Sequence, residues 1–286
     1  MNIKNLIRKI GFRRIYNPHS YQLEYYFGKK KLFEIFDKKA LPAIVEASNN
    51  ALLNQLYALQ NILPDLHQKT FSKYKGSFEG RDVVLMASGP TLAAYNQDKY
   101  INNAIHIGVN KVLTYYENLD FYFMGDWTAT QRYGIEDVIR QSGAQKFFQL
   151  GVLCDEYGTT SFSTPLDFAK ECNASMYFVM HYASHQIIQP DISRHPLFGY
   201  ASIIIPAFHF ALYCRPKRIY LVGCDCSTSG YFHDTKTKNA WCDLAILRLK
   251  EEWRRMALFA KYYYPDVEII SINPVGLKGM FRDEYL

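Results

Sequence analysis

The sequence predicts an α/β domain, a mostly parallel sheet with helices on both faces, and three features predict it. From residue 82 onward short apolar runs recur: DVVLMA (82–87), AIHIGV (104–109), LDFYFM (119–124), KFFQL (146–150), MYFVM (176–180), RIYLV (218–222) and VEIIS (267–271). Several are continuous in hydrophobicity instead of alternating, the pattern of strands buried on both faces. Between them lie segments of helical length at 129–142, 201–213 and 244–263, and strands alternating with helices build parallel sheets of the Rossmann-like kind. The third feature is the residues at the ends of the runs: Ala87-Ser88-Gly89-Pro90, Gly108-Val109-Asn110, Gly125-Asp126-Trp127, Gly223-Cys224-Asp225 and Ile272-Asn273-Pro274. Glycine and small polar residues gather where an open α/β sheet binds its ligands, at the carboxyl ends of the strands.

Length and composition agree with this. A chain of 286 residues with 49% hydrophobic residues can bury one large domain, or one domain with an appendage, and is not disordered. Aromatic residues make up 16%, with 23 tyrosines, too many for the core alone. Tyrosine has an apolar face and a polar tip, which suits a polar organic ligand such as a sugar.

The first 78 residues read as a separate, basic, helical N-terminal appendage, with the catalytic α/β domain over 79–286. Residues 1–39 hold ten Lys and Arg against three acids, a charge of +7, in a chain whose total is +6. In MNIKNLIRKIGFRRIY the apolar Ile3, Leu6, Ile7 and Ile10 alternate with Lys4, Arg8, Lys9, Arg13 and Arg14 at roughly helical spacing. Such a segment can lie on an anionic membrane surface, and Lys29-Lys30-Lys31 adds to that attraction. Nucleic acid is not the expected partner, because a basic tail on a neutral body is weak evidence for it. Further on, Leu52, Leu56, Leu59 and Leu63 form one helix face between Pro42 and Pro64. That stripe packs on the main domain or, as the alternative, pairs with a second copy in a homo-oligomer.

No apolar run has the length of a signal peptide after the first charges, and none reaches the roughly 18 residues of a membrane span. The expectation is a cytoplasmic protein, peripheral at the inner membrane, with Cys154, Cys172, Cys214, Cys224, Cys226 and Cys242 as reduced thiols. Cys224 and Cys226 lack the second pair that a zinc site needs, so no metal and no cofactor are expected.

Chemistry is then sought at the strand ends. In Ser88-Gly89-Pro90-Thr91 glycine permits close backbone approach, proline presets a helical φ, and two hydroxyls stand near the N–H groups of a following helix. That combination can hold a phosphate, although the P-loop lysine and the spaced glycines of a dinucleotide fingerprint are missing. The alternative is a plain strand-to-helix turn. Asn110 can read a base or ribose edge through its carbonyl and amide. Asp126 could bind a ribose hydroxyl or a divalent metal, although a lone Asp is a poor metal site, and Asp225, which ends the sixth run, is a candidate catalytic residue together with His233 and Tyr231. In SGYFHDTKTKN (229–239), His233 is a candidate base, while Tyr231, Lys236 and Lys238 can offset charge growing on a departing phosphate. His181, His185 and His195 form a rival group, read as positioning or packing because no third metal ligand is evident.

The order VVLMASGPTL, AIHIGVNKV, LDFYFMGDW resembles the opening of the bacterial sialyltransferases that decorate lipooligosaccharide. It is similar also to the motility accessory and hydroxymethylpterin diphosphokinase-like proteins that share a G-P-[ST]-L turn. The likeness returns in ASIIIPAFHFALYCRPKRIYLVGCDCS and closes in VEIISINPVGL, spanning about residues 82–277. It implies a GT-A-like variant of the α/β fold and a metal-independent, inverting glycosyltransferase. By resemblance Ser88, Gly89, Pro90, Thr91 and Asn110 contact a CMP-sugar donor, and Ser202 sits where the family has a Thr-Ser-Gly donor contact. Tyr231 falls where the family binds the leaving phosphate, and Asp225 closes the family's Gly-x-Asp strand. The family's base is a later histidine; none occurs between 234 and 286, which leaves His233 as the nearest. The acceptor implied is a lipid-linked precursor of a cell-surface glycan. The alternatives are a pterin diphosphokinase-like enzyme, which needs clustered acids for metal and ATP, and a non-catalytic accessory protein of surface glycans or flagella.

Overall fold

The structure is a computed structural model, and it describes residues 12–17, 22–27, 30–36, 46, 50, 63–96, 101, 103–153, 161–162, 164–180, 188–199, 202–232 and 243–286. The chain divides into two compact units, Met1–Leu53 and Asn54–Leu286.

The smaller unit contains a three-stranded antiparallel sheet, β1 (Phe12–Asn17), β2 (Gln22–Phe27) and β3 (Lys30–Phe36), in the order β1-β2-β3. Phe12 pairs with Phe27 and Asn17 with Gln22, and β2 shifts register against β3 between Tyr25 and Tyr26. This corrects the expected helical appendage over these residues. IY, YYF and LFEIF are aromatic and β-branched stretches with strand preference. Residues 1–11, most of the basic segment read as a membrane anchor, lie outside the described residues, as do Leu52, Leu56 and Leu59. The boundary also moves. Residues 54–78 belong to the larger unit: α1 (Leu63–Phe71) buries Phe71 in that unit's core, and His67 bonds to its strands.

The larger unit is the predicted α/β domain. Its strands are β4 (Asp82–Met86), β5 (Ile105–Val109), β6 (Phe121–Met124), β7 (Gln145–Leu153), β8 (Ser161–Phe162), β9 (Ser175–Met180), β10 (Leu197–Phe198), β11 (Arg218–Val222), β12 (Glu268–Ile272) and β13 (Arg282–Glu284). The order across the sheet is β10-β9-β7-β6-β5-β4-β11-β12-β13, every neighbouring pair parallel, with β8 antiparallel on β7. All seven apolar runs are strands. The helices are α2 (Trp127–Tyr133), α3 (Glu136–Gln141), α4 (Leu166–Glu171), α5 (Ile204–Tyr213) and α6 (Asp243–Tyr263). The single helix expected at 129–142 is two, divided at Gly134 with φ +61°, a left-handed conformation that ends a helix.

Strand residues alternate between two cores, one on each face of the sheet. Phe123, Phe147 and Tyr177 face a core that holds α5, every residue of which is buried, and the Trp253 face of α6. Tyr122, Met124 and Phe148 face the other, with Phe168 and Ile139. Both faces being covered explains why the runs are continuous in hydrophobicity.

The strand order reverses once. From β4 the chain runs outward through β5, β6, β7, β9 and β10, then returns to place β11 on the other side of β4. The carboxyl ends of β4 and β11 therefore flank the topological switch point, where such sheets open a crevice.

Candidate functional site

β4 and β11 run in register from Asp82 beside Arg218 to Met86 beside Val222, so their following turns meet. Gly89 donates its N–H to the Gly223 carbonyl at 2.9 Å. A Cβ on Gly89 would collide with that carbonyl oxygen and stand 2.6 Å from Asp225 Cγ. Gly223 is left-handed, φ +65°, with the Ala87 carbonyl where its own Cβ would go. These glycines are needed for one turn to touch the other.

Thr91 completes the contact. Its N–H donates to Asp225 Oδ2 at 2.9 Å and its hydroxyl donates to Asp225 Oδ1. Burial raises the Asp225 carboxyl above its ordinary range, and the two Thr91 donors oppose that rise. A five-residue 3-10 turn, Pro90–Ala94, follows instead of the expected α-helix. The Leu92 N–H donates to the Gly89 carbonyl at 3.0 Å, and Pro90 has no N–H. The amides from Gly89 to Leu92 are thus bound within the protein, and this turn is not the open phosphate cradle that its sequence suggested.

Beside the two turns lies an open cleft that both of them line. Ser88, Gly89, Asn110, Ser202, Asp225 and Tyr231, all predicted from sequence, line it together. Asn110 follows β5 directly, with φ +47°, a left-handed conformation that asparagine tolerates better than most residues. Ser202 precedes α5 and accepts the Ile205 N–H at 3.1 Å. Tyr231 is held by its neighbour: the Phe232 N–H donates to the Ser88 carbonyl at 3.0 Å, and the Phe232 ring meets Tyr115 edge-on at 4.3 Å.

Other predicted residues fall elsewhere. Pro90 and Thr91 do not line the cleft, and Thr91 touches it only through its hydrogen bonds to Asp225. Asp126 is exposed and does not line the cleft; its carbonyl accepts from Thr130 at 3.1 Å (amide) and 3.0 Å (hydroxyl), which starts α2. His233, Lys236, Lys238, His181 and His185 lie outside the described residues. His195 is half-buried and not at the cleft.

Sequence reasoning missed one whole wall. Ile203 and Ile204 at the start of α5, and Ile246, Leu249 and Trp253 from α6, face the cleft. The spacing of Ile246, Leu249 and Trp253 marks a buried helix face, but nothing in it distinguishes a cleft wall from core. Cys224 and Cys226 also line the cleft. Burial holds the Cys224 thiol well above its usual range and pushes Cys226 up to about 11, so neither is a nucleophile near neutral pH. Among the described residues no group of three or more His, Cys, Asp and Glu converges as a metal site, and no Lys, Arg or His lines the cleft. The site joins an apolar wall to a wall of amide and hydroxyl groups, a combination suited to a neutral ring with polar edges.

No protein-family model matches the chain, and no curated protein matches it in sequence. Among solved structures it is similar to the sialyltransferase CstII from Campylobacter jejuni, solved with the substrate analogue CMP-3FNeuAc. Identity is 14% and the TM-score 0.37, over 67% of this chain and 80% of that one.

Proposed function

We propose that the protein is a glycosyltransferase that moves a sugar from a nucleotide donor, with a CMP-sugar favoured, to a lipid-linked precursor of a cell-surface glycan. The supporting observation is convergence: Ser88, Asn110, Ser202 and Tyr231 come from four separate segments and line one cleft at the switch point. Asn110 would read the base or ribose edge, with the apolar wall of Ile246 and Leu249 against the ring face. Tyr231, with Lys236 and Lys238, would take up charge on the departing phosphate. The acceptor hydroxyl oxygen would bond to the anomeric carbon as the sugar–phosphate bond breaks. CMP leaves with that bonding pair, the hydroxyl proton passes to His233, and the anomeric centre inverts. Peripheral attachment at an anionic membrane would bring the lipid-linked acceptor within reach. No helix among the described residues is long and apolar enough to cross a membrane.

Donor hydrolysis and transfer assays with CMP-, UDP- and GDP-sugars test this. The expected result is turnover of a CMP-sugar that is lost in His233→Ala. The reading fails when no nucleotide sugar is bound or consumed.

A further inference from the structure

Asp225 is the only carboxylate-bearing residue among those described that line the cleft, and it is 4% exposed. Both of its oxygens accept from Thr91, and its own carbonyl accepts the Gly276 N–H at 2.7 Å. Gly276 has no room for a side chain, since a Cβ would collide with the Cys226 carbonyl. Asp225 therefore ties together three segments: the turn after β4, the turn after β11 and the loop after β12. A ligand phosphate arriving at residues 88–91 would meet amides already bound and a buried carboxylate, with no lysine, arginine or histidine among the described lining residues to offset the repulsion.

We infer that Asp225 is a positioning residue whose carboxylate occupies the turn after β4 in place of a ligand phosphate. It fixes Ser88 and Gly89 for the uncharged, nucleoside part of a ligand and directs the phosphate away from that turn. The part concerning nucleoside rests on the proposed donor; the part concerning the turn and its anion does not.

Thermal unfolding of wild type, Asp225→Ala and Asp225→Asn in chloride, formate and inorganic phosphate at matched ionic strength tests the second part. Losing two hydrogen bonds to a charged group lowers the Asp225→Ala Tm by about 5–10 °C. Formate, which refits the vacated space, raises it again. Asp225→Asn keeps an acceptor for the Thr91 amide, loses less and ignores formate. Phosphate stabilises most proteins by exclusion, so its effect is read against Asp225→Asn. Wild type protected by phosphate more than that variant overturns the inference, as does an Asp225→Ala protein with unchanged Tm and no formate response. Should Asp225→Ala not fold, Thr91→Val removes one donor alone, and an unchanged Tm there overturns it equally.

CMP affinity separates positioning from acid–base chemistry. Asp225→Asn should lower affinity and turnover together and by less than Asp225→Ala, which loses about tenfold in affinity. Turnover abolished in Asp225→Asn with affinity intact overturns the inference. A wild type that binds no nucleotide defeats the proposed function alone and leaves the formate result to decide Asp225.

Discussion

At Gly89 the lack of a side chain is what lets the turns after β4 and β11 meet. Gly89→Ala puts a methyl against the Gly223 carbonyl and Asp225, so it should destabilise by about 1–3 kcal/mol in urea unfolding. Nucleotide affinity should fall with it, because Ser88 moves. Asn110 separates the two effects. Its backbone is left-handed, φ +47°, which glycine adopts freely, so Asn110→Gly should change stability by no more than about 0.5 kcal/mol. The amide is nevertheless lost, and nucleotide affinity should drop about tenfold in titration calorimetry. Unchanged affinity would remove Asn110 from the site. These residues also show how a motif misleads. Ser88-Gly89-Pro90-Thr91 was legible as a strand end at the site, but its amides could be assigned only once Gly223 was seen to accept from Gly89 and Asp225, 134 positions beyond Thr91, to accept from Thr91. Local sequence carries no sign of so distant a partner.

At the scale of elements, two buried histidines hold the 188–199 segment that leads into Ser202. His67 of α1 donates from Nδ1 to the Ile192 carbonyl at 2.9 Å and accepts the Phe178 N–H at 2.9 Å. His209 of α5 accepts the Phe198 N–H at Nδ1, 3.0 Å, and donates from Nε2 to the Gln189 carbonyl at 2.9 Å. Each ring must be neutral, since protonation replaces an acceptor with a second donor. Burial lowers both from 6.5 to about 4. The folded values lie below the unfolded one, so between them the unfolded chain binds more protons. Stability is full above pH 6.5 and is lost as pH falls toward 4, by about 3 kcal/mol for each histidine. Urea unfolding across that window should show this slope, and His209→Gln should flatten about half of it. A wild type equally stable at both ends contradicts the account. Neither histidine's role was legible in the sequence, because each pairs with backbone far along the chain and a backbone group leaves no mark on residue identity.

At the scale of the molecule, the sheet was legible because its central strands are apolar on both sides, and all seven runs fell on strands. The short edge strands β8, β10 and β13 have two or three residues each, too few to form a pattern. The N-terminal unit failed for a different reason: basic residues among aliphatic ones fit a helical stripe at residues 1–10, yet the aromatic stretches after them pair as strands. The cleft was legible at its polar edge, where loop residues are unusual for a strand end. It was illegible at its apolar wall, where a residue facing a ligand and one facing the core look alike. Binding of the nucleotide of a sugar donor in the crevice between β4 and β11 is the assignment on which the proposed function depends. Its most direct test is the thermal shift of wild type and Asn110→Gly with CMP, since a ligand that binds only the folded state raises Tm by mass action. CMP should raise the wild-type Tm and raise that of Asn110→Gly clearly less at the same concentration. No response in wild type, or equal responses in both, would contradict the assignment of this cleft.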